Sequence, residues 1–356
     1  MPQIKATGRI DLEIIITMLK KLKERFANLR KNEPLKNHCT LRVGGPADLF
    51  YELTNIEELS ELLTLTEEAQ IPYRIIGRGS NILFTDKGFR GLVIKNASAE
   101  CSINGCEITA DSGVVLAQIV RLSVDNDLTG LEPLYGLPGT LGGAIWGNAG
   151  VPGTEICSFV KNVTVFNVSD GVRELESKDF SFSYRHTSFH DSKDLVLRAT
   201  LGLKKGNSKK SKELMAQIND IRRCKQPIGY SAGSFFKNPL PDKKAAPSGR
   251  SNAIAEPPSA TLQVVPPRRD VSVLERTPLR SVRGLCLSAG YLIEQVGLKG
   301  YKIGDAQISP KHANFFLNTG NATASQFLEL AKLAQKKVKE KFDIKLEMEV
   351  KIIGDL

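Results

Sequence analysis

Several signatures are missing from this 356-residue chain, and each absence narrows its chemistry. No run of about eighteen apolar residues occurs, so no helix is expected to span a membrane. The six cysteines, Cys39, Cys101, Cys106, Cys157, Cys224 and Cys286, show no C-x-x-C spacing. No nearby histidine completes a metal site around Cys101 and Cys106, so free, mostly buried thiols and no metal are expected. His186, His190 and His312 also lack ligand spacing and are assigned no role. No G-x-x-x-x-G-K-[ST] stretch is present, which argues against a P-loop nucleotide triphosphatase, and no G-x-S-x-G supports a hydrolase nucleophile elbow. Aromatics are scarce at 6%. With basic residues dispersed, the net charge of +10 fits a small polyanionic ligand as well as a nucleic acid. The N-terminus carries charges within and after its short apolar run and lacks a small-residue cleavage site, so no signal peptide and a cytoplasmic location are expected.

The remaining pattern is mixed. Thr54 to Ala69 reads as a helix, with Thr54 and Glu57 as a capping box and Ile56, Leu59, Leu62 and Leu63 on one face. "IPYRIIGRGSNILF" reads as strand, glycine turn, strand, and strands dominate from Gly150 to about residue 205. "GNSKKSKE" marks a boundary near residue 206. Helices are expected again over "SKELMAQINDIRRCK" and over Ala324–Lys341, the latter with Thr323 and Gln326 as a capping box. "IKLEMEVKI" alternates strictly and reads as a strand, with Glu347 and Glu349 on one face. Residues 240–286 hold seven of the seventeen prolines and little apolar periodicity, the composition of a disordered insertion.

Four stretches could carry chemistry. Gly77-Arg78-Gly79-Ser80-Asn81 lies between apolar strands; it suits N–H groups converging on a pyrophosphate, or a plain glycine hairpin. Gly136 to Gly150, "GLPGTLGGAIWGNAG", has six glycines in fifteen residues, poor for a helix or strand interior and suited to close backbone approach around a large flat ligand. Ser234 in "YSAGSFFKNP" reads as a turn serine or as a proton donor. A hydroxyl is so weak an acid that donation requires a strongly basic acceptor such as an enolate, and Lys237 nearby could ease loss of the proton. Arg185, after Tyr184 among apolar and hydroxyl residues, reads as a carboxylate or phosphate clamp or as an ordinary surface arginine.

Taken in order, "NHCTLRVGGPADLF", "IIGRGSNILF", "GLPGTLGGAIWGNAG", "SYRHTSF", "KQPIGYSAGSFFKNP", "AGYLIEQVGLKGYKIGDAQISPKHANFFLN" and "LEMEVKIIG" closely resemble the UDP-N-acetylenolpyruvoylglucosamine reductase family. They span residue 33 to the end, except 240–286. The resemblance implies an α+β fold: a two-subdomain FAD-binding domain of vanillyl-alcohol-oxidase type over 33–205 and an α+β substrate-binding domain over 206–356. Residues 1–32 would be an N-terminal helical extension. It implies FAD and NADPH as cofactors and reduction of a UDP-sugar enolpyruvyl ether in peptidoglycan precursor synthesis. Hydride would add to the vinyl methylene carbon and a proton to its neighbour.

By the same resemblance Ser234 donates that proton, and Arg185 and a C-terminal glutamate polarise the carboxylate. The family's Glu-Val-basic order points to Glu349 over Glu347. Gly77, Arg78, Gly79, Ser80, Asn81, Gly136, Pro138, Gly139, Thr140, Gly142, Gly143, Asn148, Ala149 and Gly150 would cradle FAD. Tyr184, Lys225, Asn238 and Gln307 would contact substrate. The short interval from Arg185 to Ser234 suits the second, shorter class of these reductases, and no nucleic-acid or membrane partner is expected of a monomer or weak oligomer. Two alternatives remain open at this point: another FAD-dependent oxidoreductase on the same scaffold, and a basic nucleotide- or nucleic-acid-binding protein without redox chemistry.

Overall fold

The computed structural model describes residues 20–239 and 288–355. The expected N-terminal extension lies largely, and the expected insertion at 240–286 wholly, outside the described residues. Strands dominate, as the alternating segments predict, and they assemble into three main sheets. Strands Arg30–Pro34, Pro46–Leu53, Phe89–Asn96 and Tyr73–Ile76 form the first, in that spatial order. Its last two pairings are parallel, and helix Glu58–Glu68 lies on the crossover between two of its strands. A five-stranded antiparallel sheet comes next, ordered Gly171–Glu176, Val160–Asn167, Leu195–Gly202, Glu107–Asp111 and Cys101–Asn104. The third is antiparallel, ordered Tyr230–Ser234, Phe315–Asn318, Ala306–Ile308 and Lys302–Ile303.

Helix Ala324–Phe342 is the clearest agreement between pattern and structure. Thr323 and Gln326 form the complete capping box, and Phe327, Leu330, Ala331, Ala334 and Val338 are all buried. The expected capping box at Thr54 does not form. The helix starts later, at Glu58, after a turn in which the Asn55 side chain accepts the Glu57 N–H at 3.1 Å, and no side chain caps it. Its predicted apolar face, Ile56, Leu59, Leu62 and Leu63, is nevertheless buried.

Two other expectations fail for tertiary reasons. "IPYRIIGRGSNILF" is no hairpin: Tyr73–Ile76 joins the first sheet, whereas Ile82–Phe84 pairs in parallel with Lys351–Ile353. The strand expected over 344–352 shrinks to Lys351–Ile353, with an isolated bridge from Met348 to Phe236. Within Gly136–Gly150 a six-residue helix forms at Leu141–Trp146, capped by the Thr140 hydroxyl, which accepts from the Gly143 N–H at 3.5 Å. Among the five described cysteines only Cys39 and Cys157 are buried, so the expectation of mostly buried thiols is too broad. Burial pushes the Cys157 thiol to about 12, with Glu155 adding to the effect, which leaves it inert.

Packing joins what the sequence separates. One core combines Phe50 and Val93 of the first sheet, and Leu35 and Phe84 beside it, with Phe235, Phe316, Phe327 and Leu346 from the end of the chain. The five-stranded sheet has its own core, which includes Met215 of helix Ser208–Lys225. That helix begins beyond residue 206 but packs back on the core of the five-stranded sheet, chiefly against helix Leu116–Asp125 and the turn at Glu132–Leu134.

The chain leaves the third sheet after Asn238 and re-enters at helix Ala289–Gln295. The Ala289 N–H donates to Asn238 Oδ1 at 3.0 Å, so the two ends of the intervening segment meet. A deletion of 241–286 bridged by a short glycine-serine linker is therefore expected to fold, with a melting temperature within a few degrees of the parent (about 1 kcal/mol or less of change). Thermal denaturation checks this, and an unfolded product would show that the segment is structural.

Candidate functional site

The site grows from three chain segments that secondary-structure hydrogen bonds bring together. Ser234 ends strand Tyr230–Ser234. Along this strand Ser231 lies opposite Leu317 and Ser234 opposite Phe315, one residue out of simple register. Gly233, at φ +76°, takes up that extra residue, a backbone state that only glycine adopts without cost. The bulge has a direct consequence. Residues three apart would normally face opposite sides of a sheet, but here Ser231 and Ser234 share a face with Phe315 and Leu317. Gln307 lies opposite Leu317 and so belongs to the same face. Ala232 and Phe316 are buried on the other side.

The chain immediately beyond Ser234 is anchored firmly. Phe235 and Phe236 are both fully buried, with the Phe235 ring stacked 4.3 Å from Phe316, and each such burial contributes about 1.5–3 kcal/mol. Asn314 clamps the same turn: its backbone carbonyl accepts from the Phe235 N–H, and its side chain exchanges bonds of 3.0 and 2.8 Å with Phe236. Sequence reasoning assigned Asn314 no role. Its signal was an amide in an otherwise apolar run, "ANFFL", but only the fold shows what that amide holds. The Ser234 hydroxyl itself is half-buried and makes no hydrogen bond among the described residues.

Glu349 reaches the same place from the C-terminal segment. Its N–H donates to the Phe235 carbonyl at 2.9 Å, and the Lys237 N–H donates to the Glu347 carbonyl at 2.9 Å, so residues 235–237 and 347–349 run side by side. Burial then separates the two glutamates that periodicity could not. The Glu347 side chain is 69% exposed and near Lys237, whereas the Glu349 side chain is 15% exposed and meets Arg185 Nε at 2.7 Å.

Arg185 completes the group. It sits at φ +56°, and its two remaining nitrogens donate to the carbonyls of Asn148, at 3.5 Å, and Gly150, at 3.0 Å. A guanidinium is suited to this because its donors lie in a fixed fork. Burial raises the Glu349 pKa above its usual range, and Arg185 opposes the shift, as do Lys237 and Lys351 more weakly. Lys351 is itself lowered by burial and by Lys237, and its ammonium lies 5.0 Å from the Trp146 ring. A largely buried carboxyl with a raised pKa, bordered by three cations, favours an anionic ligand.

The two glycine stretches meet beside this group. The Ser80 hydroxyl donates to the Pro138 carbonyl at 3.2 Å, and a methyl group placed on Gly77 would lie 2.5 Å from the Thr140 hydroxyl. Gly77 is thus required by close approach of the two stretches. Thr40 donates to the Gly79 carbonyl from both its N–H and its hydroxyl. The four consecutive N–H groups from Arg78 to Asn81 have no acceptor among the described residues. Such a run of free donors on a glycine turn fits a pyrophosphate, so the residues present fit FAD.

Other predicted residues take distinct places. Asn148 is fully buried: its amide donates to Glu155 Oε2 at 2.7 Å and to the Ser183 carbonyl at 2.9 Å, and its side-chain oxygen accepts from the Cys157 N–H. Its side chain therefore holds the Arg185 loop. Tyr184 lies beneath the Arg185 guanidinium, 5.1 Å from ring centre to charge, and its hydroxyl accepts the Asn238 N–H at 3.3 Å. Gln307 donates to the Gly300 carbonyl, and Lys225 is exposed at the end of its helix. Gly136 lies against the Arg222 side chain, and Gly142 against Ser112.

Comparison with known proteins gives concordant matches. Residues 47–175 match the model of an FAD binding domain, and residues 225–353 match that of the UDP-N-acetylenolpyruvoylglucosamine reductase C-terminal domain. The chain is 37% identical over 346 residues to UDP-N-acetylenolpyruvoylglucosamine reductase of Caldanaerobacter subterraneus subsp. tengcongensis, covering 96% of this chain and 99% of that protein. The enzyme of the same name from Anoxybacillus flavithermus is 34% identical over 337 residues, 94% of this chain and 97% of that protein. Among solved structures, UDP-N-acetylenolpyruvylglucosamine reductase from Thermus caldophilus superposes with a TM-score of 0.67 at 30% identity, covering 90% of this chain and 97% of that one.

Proposed function

The chain belongs to the UDP-N-acetylenolpyruvoylglucosamine reductase family, and from that premise we propose that Ser234, Arg185 and Glu349 carry the chemistry of its reaction. It is an FAD-dependent oxidoreductase that uses NADPH to reduce UDP-N-acetylglucosamine enolpyruvate to UDP-N-acetylmuramate, a step of peptidoglycan precursor synthesis. Its fold is α+β, with the FAD-binding domain followed by the reductase C-terminal domain. None of the described helices is long and apolar enough to cross a membrane.

The observation that carries the assignment is the 2.7 Å Arg185–Glu349 pair. The Arg185 side chain ties it to the Gly150 carbonyl of the second glycine stretch, and the Glu349 N–H ties it to the residue after Ser234. FAD, when bound, supplies a two-electron store that is charged by NADPH and discharged to the enolpyruvyl substrate. Its pyrophosphate suits the N–H groups of Gly77–Asn81, and the stretch Gly136–Gly150 lines the adjoining seam. Everything else falls to this chain's own side chains.

Addition of hydride to the vinyl methylene carbon places negative charge on the neighbouring carbon and, by conjugation, on its carboxylate. Arg185 stabilises that charge. Glu349, whose pKa burial raises against the pull of Arg185, in its protonated form donates a hydrogen bond to the same group. Ser234 then protonates the carbon. Its hydroxyl is ordinarily far too weak an acid for the task, but the enolate-like acceptor is a stronger base than most, and the hydroxyl has no competing acceptor among the described residues. Tyr184, Asn238, Gln307 and Lys225 border the substrate, with Gln307 on the Ser234 face of the sheet.

An anaerobic titration tests the reading. NADPH is expected to bleach the visible flavin band of the holoenzyme, and one equivalent of the enolpyruvyl sugar nucleotide to restore it. Bleaching without restoration would point to another flavin-dependent oxidoreductase on this scaffold.

A further inference from the structure

We infer that the side chain of Asn81 is a positioning residue for Glu349, so that the first glycine loop sets the geometry of the acid as well as receiving the cofactor. The inference rests on the role of Glu349 proposed above. Two hydrogen bonds carry it. Asn81 Nδ2 donates to the Glu349 carbonyl at 3.2 Å, and the Lys351 N–H donates to the Asn81 carbonyl at 3.0 Å. One residue of the loop thus grips the chain on either side of Val350, 268 positions away.

The grip matters because the backbone of residues 347–350 is otherwise held only by residues 235–237. Residues 344–350 make no continuous strand, and the ladder with Ile82–Phe84 begins only at Lys351. Upstream of that point, Glu349 is held by one main-chain bond to Phe235 and by its own ion pair with Arg185. The Asn81 amide adds a bond at the residue whose side chain must meet the substrate. Directly after it, Ile82–Phe84 and Lys351–Ile353 pair in parallel, with Leu83 and Phe84 fully buried. The loop, the short ladder and the acid are therefore one mechanical unit.

Asn81 has a counterpart on the other partner of the ion pair. The buried Asn148 holds the Arg185 loop through Ser183 and offers its carbonyl to the guanidinium. Each member of the pair is thus set by an asparagine from a different glycine stretch. Asn81 is the more informative to test, since Asn148 is wholly buried and its replacement would disturb folding.

The chemistry separates this role from simple cofactor binding. Asn81 meets an incoming pyrophosphate with its backbone N–H, which any residue supplies, whereas the bond to Glu349 needs the side-chain amide. Asn81→Ala removes only the second. With FAD saturating, so that any loss of cofactor affinity through the loop drops out, flavin reduction by NADPH is expected to slow several-fold less than the second half-reaction. Reoxidation by the enolpyruvyl substrate is expected to slow by about tenfold or more, because a misplaced group loses much of its effect.

A double-mutant cycle then decides. In a Glu349→Ala background, where no acid remains to be positioned, Asn81→Ala should slow reoxidation no further. Additive losses, or equal losses in both half-reactions, would overturn the inference. Should Asn81→Ala fail to fold, Asn81→Ser, whose hydroxyl is too short to reach the Glu349 carbonyl, is read in the same way. A Glu349→Ala single variant that reoxidises at the parental rate would instead refute the reading of Glu349 itself, which keeps the two failures distinct.

Discussion

Ser234→Ala is expected to stall turnover after the flavin is reduced. In rapid-mixing experiments the variant should bind FAD and be reduced by NADPH within about twofold of the parent rate, because no proton donor to carbon is needed there. Reoxidation by the enolpyruvyl substrate should slow by about 10²–10⁴, the usual contribution of a positioned general acid. The split between the half-reactions is the diagnostic. A turn serine with a purely structural role would depress both or neither, and equal slowing would refute the assignment. The substitution removes one oxygen from a half-buried site and leaves Gly233, the bulge, Phe235 and Phe236 in place, so folding should be little affected.

The second large effect concerns Arg185. Arg185→Ala should lower the rate of reoxidation by about 10²–10³, as removal of a preorganised charge partner for a developing anion does. Arg185→Lys should recover little of this, since an ammonium cannot reach Glu349, Asn148 and Gly150 together as the fork does. A change in pH dependence should accompany the loss. Burial raises the Glu349 pKa, and Arg185 is the largest influence opposing it. Without the guanidinium the carboxyl holds its proton to still higher pH. If the protonated acid is the active form, the alkaline limb of the reoxidation rate, where Glu349 loses its proton, moves upward in Arg185→Ala and disappears in Glu349→Gln. A limb that moves to lower pH would contradict the assignment.

How much of this was legible beforehand differs from element to element. Helix Ala324–Phe342 could be read in full, cap and face together, because both signals are local: a hydroxyl three residues before an amide, and an apolar stripe of helical period. Helix Glu58–Glu68 was right in its buried face and wrong at its start, where Asn55 makes a turn with Glu57 instead. The C-terminal alternation gave the phase of the segment but not its pairing. Leu346 and Val350 are buried, yet the chain around them answers to Asn81, Phe235 and Phe236 rather than to a single neighbouring strand.

The site divides along the same line. Motif order brought Ser234, Arg185 and the two glycine stretches to attention, because glycine density and a lone arginine among hydroxyls are visible one residue at a time. Choosing Glu349 over Glu347 by physics required burial, since both occupy the same phase of the alternation. The bulge that turns Ser234 onto the Gln307 face depends on a one-residue offset between strands some eighty positions apart. The buried Asn148, the clamp at Asn314 and the grip of Asn81 are likewise long-range hydrogen bonds with no periodicity to announce them.

The local elements and the candidates for the reactive groups were therefore written in the linear chain. Propensity, capping and glycine's freedom act within a few residues and leave their mark there. Three outcomes came from tertiary closure instead: the first sheet and the last segment share a core, Gly77–Asn81 opens into a parallel ladder rather than a hairpin, and Arg185 and Glu349 meet at 2.7 Å. They depend on which surfaces bury one another and which polar groups must then find partners. That requirement is settled only when the whole chain has closed around them.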